Sequence, residues 1–305
     1  MSLAMRMSAR ILKTVNRGTL RTMTDGPAYL ASRRPDRTAA LPPRSLRRHG
    51  TIECRRVRNS RVCTFTPSGA RPDTAVLYVP GGAYVNPMVT PQWWIVRRIA
   101  LQNGVSVTVA DYPRAPEHNS DETVPVLDAA WEEVCGIPGV THAFVAGDSA
   151  GGHAAITLAL RHRHEEPLRP RGVLLISPWL DLGLRSPLAR EREPRDPMLR
   201  VNGARECGRV WAQPHGTDYA PFSPLTADLH GVPPVLLAIG ENDILYSDAV
   251  HFAHLLRQSA VDIELITEAD GFHVYPGAVW TPESRRAFRA MQMFFSRHTP
   301  ARPFG

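Results

Sequence analysis

The stretch FVAGDSAGGHAAITLAL, residues 144–160, decides how the chain is read. An apolar run that suits a buried strand ends in Gly147-Asp148-Ser149-Ala150-Gly151, and a helix-forming run rich in alanine and leucine follows at once. Small residues on both sides of a serine are what a sharp strand-to-helix turn requires, because no side chain then collides with the neighbouring strand or helix. The hydroxyl stands exposed above the sheet, and the first N–H groups of the helix point toward any negative charge that develops beside it. Ser149 therefore reads as a nucleophile. A glycine-rich turn with a serine helix cap is the competing reading, and it requires no partners further along the chain.

Outward from this turn the chain alternates. Apolar, β-branched runs at 74–80 (TAVLYVP), 104–112 (GVSVTVADY), 141–147 (THAFVAG), 171–177 (RGVLLIS), 233–240 (PPVLLAIG) and 261–267 (VDIELIT) predict strands. Helices are predicted between or after them at 91–103, 121–135, 150–164, 246–259 and 282–296. Continuous strand runs separated by amphipathic helices indicate an α/β protein with a parallel sheet covered on both faces. A hairpin is predicted from TIECRRV and RVCTFTP on either side of Asn59-Ser60. Residues 179–232, rich in Pro, Arg and Gly, separate two core strands and read as an inserted lid. The expected organisation is an N-terminal cap segment over 1–48, a core over 49–178, an inserted cap segment over 179–232 and a second core part over 233–305.

A serine nucleophile needs a base, and the base needs a carboxylate that fixes its tautomer and stabilises its charged form. Asp243 follows the strand run VLLAIG, and His273 follows ELIT, so both fall on the strand-end rim that carries Ser149. Their order in the chain, serine then acid then histidine, is the one this kind of turn uses. Asp248, Glu241, His251 and His254 rank below them, as do His162 and His164, which are expected to be exposed. A tetrahedral oxyanion also needs preorganised donors. Ala150 N–H is one by its position, and the loop Pro80-Gly81-Gly82-Ala83-Tyr84 after the first parallel strand is the place for the others. Tyr84, Trp93, Trp94, Trp179 and Trp211 are candidates for an apolar substrate pocket, against a core role.

The formal net charge of +7 is unevenly placed. Through Arg61 there are 15 basic and 3 acidic side chains, so the rest of the chain is net acidic. No aromatic interleaving accompanies the basic segment, and a solvated arm is expected rather than a nucleic-acid site. Residues 2–22 place Met7, Ile11 and Val15, with Ala4 and Leu12 beside them, at helical spacing among Arg6, Arg10, Lys13, Arg17 and Arg21. The expected use of this amphipathic helix is to dock its apolar stripe on the protein's own lid. Peripheral contact with an anionic membrane is the alternative. Residues 31–50 read as a connector. No apolar run reaches the length of a membrane-spanning helix, and no convincing secretory signal is present, so cytoplasmic residence is expected. The four cysteines show no C-x-x-C spacing, which points to reduced thiols and no metal site, although Cys54 and Cys63 can face each other across the hairpin.

Several motifs together resemble the hormone-sensitive-lipase-like branch of the α/β-hydrolases, over roughly residues 74–296: PGGAY (80–84) in the place of H-G-G-G, DYPRAPEH (111–118) for Y-R-L-A-P-E-H, GDSAGG (147–152), SPWLDL (177–182), and the Asp243 and His273 contexts. The resemblance implies the α/β-hydrolase fold, a mostly parallel eight-stranded sheet flanked by helices with a helical cap. It also implies cofactor-free hydrolysis of short- to medium-chain carboxyl esters through an acyl-enzyme. Gly82, Ala83 and Ala150 would supply oxyanion donors, Gly81 would shape their turn, and Glu117 would be a supporting carboxylate. Pro80 stands where the motif has histidine, and Ala83 where it has a third glycine. Backbone donors survive both changes, but the loop loses an imidazole anchor. Lactone or amide hydrolysis by the same groups, and a non-catalytic receptor on the same fold, are the alternatives. A small-molecule ester is the expected partner, and a homodimer is left open.

Overall fold

In a computed structural model, which describes residues 2–33 and 38–299, eight strands form one sheet in the order β1-β2-β4-β3-β5-β6-β7-β8. They are β1 Gly50–Val57, β2 Ser60–Pro67, β3 Thr74–Val79, β4 Ser106–Asp111, β5 His142–Asp148, β6 Gly172–Ile176, β7 Val235–Gly240 and β8 Ile263–Glu268. The β1-β2 hairpin lies at one edge, antiparallel, and β2 is antiparallel to β4, while β3 through β8 are parallel. Every residue of β3, β6 and β7 is buried, as a run of β-branched and aliphatic residues demands when helices cover both faces.

Alternate side chains along each strand feed two separate cores. Leu77, Val145, Leu175 and Leu237 pack against α5 (Ser120–Cys135), α6 (Ala150–His162) and α9 (Tyr246–Gln258). Val76, Phe144, Leu174 and Leu236 pack against α4 (Thr90–Asn103) and α10 (Pro282–His298) on the other face. The chain leaves β3 toward β4 on one side, and β5 lies on the other side. The crevice beyond the C-terminal end of β3 is therefore the topological switch point, where such sheets hold ligands.

Over that end lie helices from two distant segments. The N-terminal ones are α1 (Leu3–Val15), α2 (Arg17–Thr22) and α3 (Gly26–Ala31), and those of the insertion are α7 (Pro187–Arg192) and α8 (Val201–Trp211). Two glycines allow α3 and α8 to approach closely: a Cβ on Gly26 would meet the Asn202 carbonyl at 2.7 Å, and one on Gly203 the Met23 side chain at 2.8 Å. Ser2 caps α1 and also bonds Glu283 at the start of α10, tying the N-terminus to the second core part. Of the predicted connector, residues 34–37 lie outside the described residues. In the rest, Ala39 and Leu46 are buried, and Trp93 donates its indole N–H to the Ala40 carbonyl.

Two expectations fail here. The N-terminal helix forms, but the stripe it docks on the protein is not the predicted one. Met5 and Ser8 are buried, with Leu12 and Ala9 partly so, whereas Met7, Ile11 and Val15 face outward. The receiving surface around Phe272, Tyr275 and Ala287 accepts the narrower sector centred on Met5, and the broader apolar sector is left over. The second failure concerns the thiols. Cys54 and Cys63 form a disulfide, because the turn at Arg58-Asn59 sets them directly opposite in the hairpin register, with Cα atoms 4.1 Å apart. Cys135 and Cys207 are free. Among the described residues no helix is long and apolar enough to cross a membrane.

Asp248, in the first turn of α9, is a buried carboxylate whose Oδ2 has no hydrogen-bond partner. Burial first, and then the Asp181 charge, push its pKa up to about 7. Its folded pKa lies above the unfolded one, so the stability tied to it is full below about pH 4 and is lost as pH rises toward 7. Asp248→Asn is expected to raise thermal stability at pH 8 by about 1 kcal/mol, and to raise it less at pH 5, in calorimetry. An equal effect at both pH values would show that the carboxylate is not the cost.

Candidate active site

Ser149 sits between β5 and α6 with φ 55° and ψ −121°, a conformation that L-residues rarely adopt. The glycines around it leave room for nothing larger. A Cβ on Gly147 would lie 2.1 Å from the Gly151 carbonyl oxygen, and one on Gly151 would lie 2.0 Å from that of Val79. The strained turn is clamped from below, since Ser149 N–H donates to the Ile176 carbonyl and the Ser149 carbonyl accepts from Trp179 and His153 N–H.

Two residues from other strand ends meet the serine. Asp243 follows β7 and His273 follows β8. His273 Nε2 lies 2.9 Å from Ser149 Oγ, and Nδ1 lies 2.8 Å from Asp243 Oδ2. Asp243 also accepts from Leu245 N–H, which fixes the carboxylate plane. With Nδ1–H donating to Asp243, Nε2 is left to accept from the serine hydroxyl. Burial alone would lower the His273 pKa. The Asp243 charge and hydrogen bond outweigh it, with Asp196 and Asp148 adding to them, and the imidazole ends above its ordinary value.

The loop after β3 supplies the opposite wall. Gly82 has φ 141° and Ala83 φ 53°, and both line the cleft that holds Ser149. Neither the Gly82 nor the Ala83 N–H has an acceptor among the described residues, and the Ala150 N–H is free at the start of α6. Gly81 differs: its N–H donates to Asp148 Oδ1 at 3.0 Å, so it braces the loop. A Cβ on Gly81 would lie 2.5 Å from the Asp148 carbonyl oxygen and 2.8 Å from the Ser149 side chain.

Asp148 anchors the loop that starts at Pro80. Its fully buried carboxylate accepts from the Tyr78 hydroxyl, Gly81 N–H and the Gln92 amide, and Gln92 also donates to the Gly81 carbonyl. Tyr112 donates its hydroxyl to the Pro80 carbonyl at 2.7 Å. Tyr78, Gln92, Tyr112 and the bracing role of Asp148 escaped sequence reasoning. Asp148, inside the serine motif, and Tyr112, inside DYPRAPEH, carried a signal that could have been followed.

The aromatic residues fall differently from expectation. Tyr84, Trp93, Trp179 and Trp211 are all buried in the core and line no part of the cleft at the serine. Tyr84 stacks on Trp211, with ring centres 3.9 Å apart, and donates its hydroxyl to His153 Nδ1. His153 Nε2–H donates to the Phe222 carbonyl, and burial lowers the His153 pKa to about 4, so it stays neutral. Stacking uses the faces that pocket walls would need. Of the five aromatic pocket candidates named from sequence only Trp94 lines the cleft, where Met7, Ile11, Met198, Phe272 and Trp280 join it. This cleft of about 860 Å³ opens directly onto Ser149 and His273. Glu117 is exposed on the surface and supports nothing there, while His162, expected to be exposed, is buried against Asp128 and Glu165.

Asp196, from the insertion, is the least expected participant. It is fully buried, and its Oδ2 accepts from Ile244 N–H, next to Asp243. Its Oδ1 accepts from Met198 and Leu199 N–H, two residues that line the cleft. One carboxylate thus joins the cap segment to the turn bearing the acid. Burial and the Asp243 charge raise its own pKa.

A serine, a histidine and an aspartate linked at strand ends around a switch point, with free N–H groups opposite, define an α/β hydrolase. Comparison with known proteins agrees. The chain belongs to the α/β hydrolase fold family, whose profile matches residues 76–277. It is 26% identical to an esterase of Acinetobacter venetianus over 230 residues, which cover 72% of this chain and 73% of the relative. An acetyl-hydrolase of Streptomyces hygroscopicus is 28% identical over 236 residues, covering 73% and 76%. A solved esterase from the bacterial hormone-sensitive lipase family superposes with a TM-score of 0.77 at 22% identity over 98% of this chain and 99% of that one.

Because three carboxylates act on His273, removing one has a signed effect. Asp196→Asn is expected to lower the His273 pKa, read as a downfield-to-upfield midpoint in NMR of the imidazole Cε1–H. An unmoved midpoint in folded protein would remove Asp196 from the electrostatics of the site.

Proposed function

We propose that this carboxylic ester hydrolase works through an acyl-enzyme on Ser149. The observation that carries the reading is the pair of short contacts, 2.9 Å from Ser149 to His273 and 2.8 Å from His273 to Asp243, among buried side chains beside unengaged N–H groups. His273 takes the hydroxyl proton as Ser149 Oγ bonds to the ester carbonyl carbon. Negative charge moves to the carbonyl oxygen, where the N–H groups of Gly82, Ala83 and Ala150 receive it, each such donor contributing on the order of 3 kcal/mol. The tetrahedral intermediate collapses, the C–O bond to the alcohol breaks, and the His273 proton goes to the leaving alkoxide. Water, deprotonated by the same imidazole, then attacks the acyl-serine and releases the acid.

Asp243 holds Nδ1–H and stabilises the imidazolium without taking its proton. The apolar cleft suits an acyl chain of short to medium length. It does not by its shape separate an ester from a lactone. The receptor alternative is disfavoured, because a binding protein has no need of a histidine held between serine and carboxylate.

Residues that act as a unit lose activity together. Ser149→Ala and His273→Ala are each expected to lower kcat/KM for a chromogenic butyrate ester by about 10⁴-fold or more, and the double variant no further. Losses that multiply would mean that the two side chains do not share one step. A fluorophosphonate probe is expected to label wild type on Ser149 alone.

A further inference from the structure

The surface around the cleft mouth is apolar and unpartnered. α1 is already docked: Met5 is fully buried against Phe272, Tyr275 and Ala287, and Ser8 accepts from the Trp280 indole N–H. A second apolar stripe is left over on its outer side, where Leu3, Met7, Ile11 and Val15 are 66%, 53%, 58% and 74% exposed. At four-residue spacing these four share one sector of the helix. Met7 and Ile11 also line the cleft that reaches Ser149, so the stripe is continuous with the active-site mouth. Across that mouth stand Trp280, 53% exposed, and Trp94, packed edge-on against it with ring centres 5.8 Å apart.

Charge identifies what covers this surface. Arg6, Arg10, Lys13 and Arg17 lie exposed along the stripe's flank, with Lys13 Nζ donating to the Pro194 carbonyl at 3.3 Å, and α1 contains no acidic residue. Among the described residues no ion pair engages any of the four. A second copy meeting the stripe about a two-fold axis would bring these cations together, with no carboxylate on α1 to answer them. An anionic lipid surface answers both features, since acyl chains receive the stripe and phosphates receive the flanking cations. Indole rings favour the same interfacial depth.

We propose that α1 and the Trp94–Trp280 pair dock the mouth of the cleft on an anionic phospholipid surface, so that esters pass to Ser149 from the lipid phase. This rests on the acyl-transfer reading for the step after docking, but the docking itself does not depend on it. The partner class is a negatively charged bilayer or lipid particle, and the substrate class is an ester that partitions into it.

The test uses the full chain with phosphatidylcholine vesicles, with or without phosphatidylglycerol, in a flotation assay, alongside hydrolysis of a soluble butyrate ester. Wild type is expected to float with the phosphatidylglycerol vesicles at least about tenfold more strongly than with phosphatidylcholine alone, and added salt is expected to weaken the binding. Leu3→Glu/Val15→Glu alters two positions that do not line the cleft. It is expected to abolish flotation and leave soluble-ester hydrolysis unchanged. Arg6→Gln/Arg10→Gln is expected to reduce flotation about tenfold. Absence of wild-type flotation would overturn the proposal, as would flotation indifferent to lipid charge or to both double variants. A dimer in sedimentation velocity that Leu3→Glu/Val15→Glu dissociates would overturn it in favour of a second copy. Flotation without hydrolysis of any ester would instead count against the acyl-transfer reading and leave the docking intact.

Discussion

The strained backbone at Ser149 is the constraint on which the rest of the site depends. A residue held at φ 55° costs on the order of 1–3 kcal/mol and persists only where its surroundings leave no alternative. Here the surroundings are specific. Gly147 and Gly151 let two backbones pass within a distance that no Cβ tolerates, and Ile176 and Trp179 bond the serine's own peptide groups. The adjoining Asp148 then fastens the Gly81 loop to the same turn. The hydroxyl, the free N–H groups of Gly82, Ala83 and Ala150, and the histidine therefore share one frame, so that none is placed independently of the others.

That frame also explains how the loop tolerates Pro80. Where the related motif has an imidazole, this chain relies on a buried carboxylate with donors from Tyr78, Gly81 and Gln92, and on Tyr112 beneath the Pro80 carbonyl. Tyr84 extends the support through His153 to Phe222 in the insertion. The insertion is thereby joined to the site twice, once by this aromatic path to the loop and once by Asp196 to the turn that bears Asp243. Carboxylates at 148, 196 and 243 surround His273 with negative charge and favour its protonated imidazole.

Most of the fold was legible because period and punctuation agree over long stretches. The strand runs at 74–80 and 233–240 are continuous and apolar, and each ends at glycine or proline, so their boundaries fell within a residue or two of the observed strands. The meeting of Ser149, Asp243 and His273 was legible for a different reason: each follows a strand, and the parallel sheet places all such ends on one rim. What was not legible depends on contacts between distant segments. Nothing local in Tyr84 or Trp211 tells a pocket wall from a stacked pair. Nothing in residues 3–15 reveals that Met5, rather than Met7 and Ile11, faces the core. The disulfide lay between these cases, since the hairpin spacing permitted it, while the reading of the cysteines as cytosolic argued against it.

The central claim is that Ser149 carries the acyl group between two steps. Acid-quenching the enzyme within milliseconds of mixing with a chromogenic butyrate ester, followed by peptide mass spectrometry, reads this directly. The account predicts a butyryl increment confined to the peptide containing Ser149, formed together with a burst of chromophore stoichiometric with enzyme. Steady hydrolysis with no burst and no acylated peptide under conditions that trap a slow-deacylating ester would contradict it.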